Sequence, residues 1–389
     1  MTHQQAPRVT IASRLFAPET GAAAYRLKAL ANGLAEGGAK VRVITTWPPR
    51  GLTGADGDYA VSRWPVLRDA GGNVRGYIQY LSFDVPLFFR LLLSPKPDVV
   101  VVEPPPTTGL IVKTVCRLRR IPYVYFSADV SSSAAKGIGV KGPALRLLTW
   151  MERSVLRSAA GILAVSDGVR QEVEALTGRG QGIHMVGTGV DTDTFSPVGE
   201  AKPEEGDFFI YAGTMSEIQG AGVFVDAFAL IAQDNPDVRL LMFGQGVELE
   251  ALKARAESIG PQVQFRPPTS GSEVASYFRS ATASLASVRP GKGYDFAFAT
   301  KSLAGLAAGA PAIYAGVGPM VELIEENKLG IASEWDPASV ALAMKAMIAT
   351  PVAEADRSRL SAWTEENFSL RSVGRAAAER VLSCVKGND

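Results

Sequence analysis

Runs of three to five mostly apolar residues alternate along the whole chain with longer stretches in which apolar positions recur every three or four residues. In the first half the runs are Val9-Thr10-Ile11-Ala12, Val41-Arg42-Val43-Ile44-Thr45, Val99-Val100-Val101-Val102, Tyr123-Val124-Tyr125-Phe126 and Gly161-Ile162-Leu163-Ala164-Val165. Between the first two, Tyr25 to Ala35 reads as a helix that stops at Gly37-Gly38, since glycine accepts the backbone turn that ends a helix. Short strands without polar alternation are buried on both faces, and the intervening helices supply the cover, so the pattern predicts a doubly wound parallel α/β sheet. The second half repeats it with Phe209-Ile210-Tyr211-Ala212, Arg239 to Phe243, Val263-Gln264-Phe265, Ala283-Ser284-Leu285-Ala286 and Ala312-Ile313-Tyr314. Two such sheets predict an N-terminal domain over residues 1–190, a linker over 191–207, a C-terminal domain over 208–365 and a last helix over 366–389 that packs back on the first domain. Ligands of open parallel sheets lie beyond the carboxyl ends of the strands, which places the expected site in a cleft between two facing domains.

A length of 389 residues with 47% apolar and 20% charged positions fits two globular domains with ample cores. The only cysteines, Cys116 and Cys384, are far apart and lack metal-ligand spacing. With no basic region, apolar stretch and cleavage site at the start, the expected setting is reduced and cytoplasmic. The net charge of +1 hides an asymmetry: residues 1–196 carry 23 Lys/Arg against 15 Asp/Glu, residues 197–389 carry 17 against 24. A basic first half suits an anionic acceptor or the anionic face of a membrane, although a scattered solvated surface is the commoner explanation; a nucleic acid is not an expected partner. The run Val85-Pro86-Leu87-Phe88-Phe89-Arg90-Leu91-Leu92-Leu93 is far short of the ~20 residues that span a bilayer. It is either a core helix or a patch resting among lipid headgroups.

The segment Phe298-Ala-Thr-Lys-Ser-Leu-Ala-Gly-Leu-Ala-Ala-Gly-Ala-Pro311 carries the most specific chemistry. It reads as Lys301 at the mouth of a short helix, a face of small residues, a Gly-Ala-Pro stop and a buried strand. Unpaired amides and the positive end of the helix dipole, with an ammonium beside them, make a seat for a diphosphate and point to a nucleotide-linked substrate. As a plain surface residue, a lysine in a first helical turn would be disfavoured by that same dipole.

Several further stretches share an order and spacing with known proteins. They are Phe16-Ala17-Pro18-Glu19-Thr20-Gly21-Ala22, Trp150-Met151-Glu152-Arg153 through Ile162, Val165-Ser166, Gly189-Val190-Asp191, Tyr211-Ala212-Gly213-Thr214 with Gln219-Gly220, and the Lys301 segment. Together they resemble the retaining family 4 glycosyltransferases of the two-Rossmann-domain (GT-B) type, in the branch that builds bacterial surface polysaccharides. The resemblance implies a nucleoside-diphosphate sugar, UDP- or GDP-linked, as donor in the C-terminal half. It implies an acceptor hydroxyl on a glycan, glycolipid or small molecule in the N-terminal half. Neither a metal nor a separate cofactor is implied, and a peripheral contact with the inner face of the cell membrane is compatible with it. The family pattern expects a glutamate three residues after the lysine and an acid eight positions earlier on from it, where this chain has Ala304 and Phe296. Asp295 stands one residue from the second position.

Carried over residue by residue, the resemblance makes Lys301 the catalytic countercharge, with Thr300, Gly213, Thr214, Gln219, Gly220, Arg289, Asp295 and Glu273 around the donor. Glu273 follows Ser270 by three residues, so a helix-capping box explains the same letters. On the acceptor side stand Asp129, just past a strand end, as a group that orients the nucleophile, and Glu103, Glu19, Gly21 and Ala22. Each has a plainer reading: Asp129 as a turn or cap residue, Glu19 as a helix cap, Glu103 as a solvated side chain. His3 and His184 are poor general bases, and scarce histidine fits a retaining reaction, in which the departing phosphate oxygen takes the acceptor proton. Asp56-Gly57-Asp58 and Asp191-Thr192-Asp193 have the spacing of a metal–diphosphate clamp, but one falls in a glycine-rich loop and the other in the linker, so no metal site is expected.

Overall fold

The computed structural model describes residues 6–386 apart from 20, 50–51, 53–56, 70–71, 73, 75, 138, 203, 205, 293 and 296–297. His3, Thr20, Asp56 and Phe296 thus lie outside the described residues. The chain forms two compact units, residues 1–188 with 370–389, and residues 189–369.

The first unit runs β1 (Arg8–Ala12), α1 (Ala22–Glu36), β2 (Lys40–Thr46), β3 (Ala60–Trp64), α2 (Tyr77–Leu93), β4 (Val99–Val102), α3 (Pro106–Arg119), β5 (Tyr123–Ser127), α4 (Ser131–Gly137), α5 (Gly142–Ser158), β6 (Gly161–Ala164), α6 (Asp167–Thr177) and β7 (Ile183–Met185). Its seven strands are all parallel, in the order β3-β2-β1-β4-β5-β6-β7. The alternation of strand and helix forces this arrangement, because a parallel neighbour needs a crossover. β3 went unseen in the sequence because it is an edge strand, Ala-Val-Ser-Arg-Trp, without a single buried residue. One sheet face is sealed by apolar residues of α2, α3, α5 and α6. α2 is only half a core helix: Phe83, Leu87 and Leu91 are buried, while Val85, Phe89 and Leu93 stand in solvent.

The second unit runs β8 (Phe208–Ala212), α7 (Gly222–Ala229), β9 (Arg239–Phe243), α8 (Leu249–Ala256), β10 (Val263–Arg266), α9 (Gly271–Phe278), β11 (Ala283–Ser287), α10 (Thr300–Ala307), β12 (Ala312–Ala315), α11 (Pro319–Glu326), β13 (Gly330–Ser333), α12 (Pro337–Ala349) and α13 (Glu354–Phe368). Its six parallel strands lie in the order β10-β9-β8-β11-β12-β13. The last helix, α14 (Leu370–Lys386), returns to the first unit and covers the other face of its sheet together with α1. Gly33 and Gly374 allow that helix pair to touch backbone to backbone: a Cβ on Gly33 would lie 2.6 Å from the Gly374 carbonyl oxygen.

Each sheet reverses its strand order once, between β1 and β4 and between β8 and β11. Loops leaving the carboxyl ends of adjacent strands diverge at such a point and leave a crevice, the usual place for a ligand in this architecture.

Candidate active site

At the β8/β11 reversal, Gly213 to Gly220 leave β8 and Val288-Arg289 leave β11. The loop's outer carbonyls are tied down: Thr214 O accepts from the Tyr211 hydroxyl (2.7 Å), Ile218 O from the Arg289 amide (2.8 Å), Gln219 O from the Ser287 hydroxyl (2.6 Å) and Gly220 O from Trp335 Nε1 (3.1 Å). Lys301, in the first turn of α10, extends along Gly213, where a Cβ would lie 2.1 Å from Lys301 Cε. Only glycine leaves that passage open. The ammonium donates to Gln219 Oε1 (2.5 Å) and sits 5.7 Å over the Tyr211 ring. Among the described residues no carboxylate pairs with it, and burial brings it down to about 8. The helix start beside it holds no acid and no side-chain cap; the Thr300 and Ser302 amides turn back to Phe298 O and Ala299 O, and the positive end of the helix dipole adds to the ammonium. Arg289 lies over the Trp335 ring, 4.9 Å from its centroid, without a carboxylate partner among the described residues.

At the β1/β4 reversal of the first unit, Ser13, Glu103 and Asp129 follow three adjacent strands, β1, β4 and β5. Glu103 is buried, within 2.9 Å of the Ser13 hydroxyl and 3.3 Å of Arg26 Nη2, which corrects its reading as a solvated side chain. Burial raises its carboxyl above the ordinary value against the pull of Arg26, Ser13 and Arg14. Asp129 keeps an exposed surface but stands among densely packed atoms, which raise its carboxyl while Arg26 and Arg14 oppose. Arg14 Nε, Arg26 Nε and the Tyr125 hydroxyl are buried without protein partners among the described residues. Such a concentration of open donors and acceptors at one sheet end is what a polar ligand or its waters would satisfy.

Gly21 precedes α1, a Cβ on it would meet nothing within 4 Å, and no side chain caps the helix ahead of the Tyr25 amide, which donates to Gly21 O. Glu19 is not the cap: both its oxygens accept from Arg68 at 2.9 Å. Glu273 is not with the Lys301 group either. It begins α9, two strands away beyond β10, and bonds Lys202 Nζ (3.0 Å) and the Thr269 hydroxyl, while its amide is capped by Ser270 Oγ (3.2 Å). Asp295 turns back to accept from the Gly291 amide (2.9 Å). Asp191 closes a local turn with the Thr194 amide and hydroxyl. His184 lies within β7, where burial, Arg380 and Arg179 lower its imidazole. Among the described residues no group of three or more His, Cys, Asp or Glu converges as metal ligands would.

Residues 21–189 match the family described as "Glycosyl transferase 4-like domain" and residues 206–350 match "Glycosyl transferases group 1". The chain belongs to the family 4 glycosyltransferases. It is 25% identical over 275 residues to the D-inositol 3-phosphate glycosyltransferase of Streptomyces avermitilis, a match covering 65% of this chain and 57% of that protein. It is also 25% identical over 244 residues to the phosphatidyl-myo-inositol mannosyltransferase of Mycobacterium tuberculosis, covering 61% and 62% respectively. The chain thus spans about three-fifths of the length of these relatives. Among solved structures it resembles WaaG, a glycosyltransferase involved in lipopolysaccharide biosynthesis, with TM-score 0.72 and 16% identity over 95% of this chain and 98% of that one. It resembles HepE of Anabaena, solved with UDP and glucose, with TM-score 0.70 and 14% identity over 96% and 99%. These likenesses establish the GT-B fold.

In this glycosyltransferase-family chain two supporting features escaped the sequence reading. The loop Gly244-Gln245-Gly246 lies directly behind the Gly213 loop: the Gly213 amide donates to Phe243 O and the Met215 amide to Gln245 O, both 2.9 Å. Cβ atoms on Gly244 and Gly246 would lie 1.9 Å from Gly213 O and 2.0 Å from Met215 O, so the spacing of the two glycines was the available signal. Glu152, buried in α5, accepts the Ser131 and Ser132 amides at 2.7 and 2.8 Å. It, and not Asp129, caps α4 just past the Asp129 turn. A buried acid in an otherwise basic helix was the clue.

Proposed function

We propose that this family 4 glycosyltransferase moves a sugar from a nucleoside diphosphate to an acceptor hydroxyl with retention of anomeric configuration. The second unit holds the donor. Lys301, the start of α10 and those amides of the Gly213–Gly220 loop not spent in the bonds of Gly213, Met215 and Gly220 take the diphosphate, with Thr214, Gln219, Thr300 and Arg289 around it and Asp295 and Glu273 toward the periphery. The observation that carries this reading is the desolvated ammonium of Lys301, held by Gln219 beside a helix start with no side-chain cap and without a counterion among the described residues. An incoming diphosphate supplies that counterion, and the charge growing on the leaving phosphate as the glycosidic bond breaks meets a fixed positive group.

The first unit presents the acceptor. Asp129 and the Ser13–Glu103–Arg26 group orient its hydroxyl, the open amides of Gly21-Ala22 approach its polar groups, and Glu19 holds the adjoining loop through Arg68. Among the described residues no histidine lies at either group, and the acceptor proton passes to the departing phosphate oxygen on the same face, the step that retention allows. Relatives that act on inositol phosphates and phosphatidylinositol, and the lipopolysaccharide role of WaaG, support an acceptor from bacterial glycolipid or surface-polysaccharide synthesis used at the inner membrane face.

Titration calorimetry with a panel of UDP- and GDP-sugars tests the reading, followed by acceptor-dependent release of the nucleotide and NMR of the product's anomeric configuration. Binding with acceptor-dependent release and retention supports it. Ala304 stands where the family pattern has a ribose-binding acid, and this favours one competitor, a non-catalytic module, which total absence of donor binding would establish. Donor interconversion without acceptor would make it an epimerase instead.

A further inference from the structure

α2 is apolar on both sides, unlike an ordinary surface helix: besides its buried Phe83, Leu87 and Leu91 it carries a second apolar stripe in solvent. Ile78, Leu81, Val85, Phe89 and Leu93 are 51% to 80% exposed, and at 100° per residue they fall within one stripe about 120° wide. The polar side chains Asp84 and Arg90 are buried on the opposite side. α3 packs between α2 and α5 on the same sheet face and adds exposed Leu118, and α5 adds exposed Leu147 and Trp150. The three helices contain two acids, Asp84 and Glu152, at 2% and 1% exposure. Their outer surface therefore carries no negative charge, while Arg117, Arg146, Arg153 and Arg157 are exposed on it and Lys113 and Arg119 stand half-buried between the helices, bonded to Ser154 and to Leu91 O.

We infer that the α2–α3–α5 face is a docking surface for an anionic lipid bilayer, with the apolar stripe and Trp150 entering the headgroup layer and the arginines pairing with lipid phosphates. Apolar stripe, tryptophan and cations without acids are the combination that seats a helix in a membrane interface. A second copy of the chain is the poorer occupant, since a two-fold contact would press this cationic face against itself. The surface also adjoins the acceptor group: Arg14 stacks at 4.4 Å over the ring of Tyr80, in the first turn of α2. A lipid-linked acceptor would reach Ser13, Glu103 and Asp129 from the bilayer without leaving this unit. The inference deepens the glycolipid reading above, and its test needs no donor.

The test is co-sedimentation of the full chain with vesicles of phosphatidylcholine alone or mixed equally with phosphatidylglycerol, at low and high salt. The expected result is at least tenfold tighter binding to the mixed vesicles, weakened by salt. Arg117→Gln with Arg146→Gln should loosen it about 25-fold, from roughly fivefold per basic residue near the surface. Leu81→Gln with Trp150→Gln should also loosen it; all four positions are exposed, so melting temperature and donor calorimetry should stay as in the parent. Failure to bind the mixed vesicles overturns the inference, as does binding untouched by both variant pairs, or a dimer in sedimentation equilibrium that the apolar pair dissolves. Donor binding without vesicle binding sinks this inference alone, and vesicle binding without donor binding sinks the proposed transferase alone.

Discussion

Replacing Lys301 with methionine should strengthen the fold and weaken the site, a pairing of opposite signs that a structural lysine would not produce. Burial takes the ammonium from 10.5 to about 8. At about 1.4 kcal/mol per pH unit that corresponds to roughly 3 kcal/mol of cost for holding the charge in the folded chain, trimmed to about 2 by solvent at the partly exposed edge of the residue. The lost bond to Gln219 returns about 1 kcal/mol, so Lys301→Met should be more stable than the parent by about 1 kcal/mol at pH 7. Because the folded value lies below the unfolded one, the unfolded chain binds more protons between pH 8 and 10.5. Parent stability therefore rises relative to the variant through that window, and the difference reverses as the lysine becomes neutral in both states. Urea unfolding at pH 7 and pH 10 reads this directly.

Donor affinity should move the other way. Charge-assisted hydrogen bonds from the ammonium to a diphosphate are worth about 1.5–3 kcal/mol, so UDP or GDP, whichever binds the parent, should bind Lys301→Met about ten- to a hundredfold more weakly. A bound diphosphate also pulls the ammonium back toward its ordinary value. Near pH 8, where free Lys301 is half charged, binding should take up about half a proton, and close to none at pH 6.5. Calorimetry in buffers of different ionisation enthalpy measures that uptake. Unchanged affinity in Lys301→Met together with buffer-independent heats at pH 8 would refute the assignment of Lys301 to the diphosphate.

Gly213→Ala should weaken nucleotide binding as much as Lys301→Met, because the new Cβ, 2.1 Å from Lys301 Cε, displaces the lysine; calorimetry beside a melting curve that stays near the parent's would show it. Gly244→Ala meets backbone 1.9 Å away, cannot be relieved by a side-chain shift, and should cost about 1–3 kcal/mol in urea unfolding. Glu152→Ala strands the Ser131 and Ser132 amides and should cost about 2 kcal/mol or more, and a loss below 0.5 kcal/mol, about the scatter of ordinary surface changes, would contradict its capping role. Asp84→Asn should stabilise: Oδ1 keeps the Thr108 hydroxyl at 2.6 Å, and the new amide can donate to the neighbouring Thr107 Oγ1. Burial raises the Asp84 carboxyl, so the parent carries a charge penalty that appears as pH rises above its ordinary value of 3.8. The advantage of Asp84→Asn at pH 7 should vanish on acidification to pH 3, which melting curves across that range would show.

How far the sequence revealed this arrangement follows from where each residue's partners lie along the chain. β4, Val99–Val102, was visible because both of its faces are buried, so four valines in a row have one structural meaning. The edge strands β3 and β13 were not, since a half-covered strand such as Gly-Ile-Ala-Ser keeps small and polar letters. The Lys301 seat was readable because a helix start and its lysine are one local segment, and the Gly213 loop announces itself by its glycines. The second layer is non-local: Gln219 meets Lys301 across 82 positions, Arg26 meets Glu103 across 77, and Glu152 reaches back 20 and 21 to cap α4. Nothing in the letters around those residues favours their partners over any other polar group. α2 marks a different limit. A run that is apolar nearly all round has no readable phase, so Val85 to Leu93 allowed core and interface alike, and only the burial of Asp84 and Arg90 shows which side faces the sheet. Once that phase is known, the exposed stripe ceases to be a neutral fact about composition, because the two carboxylates of the three helices are spent inward on Thr108 and on the α4 cap and every charge left on the outer faces of those helices is positive.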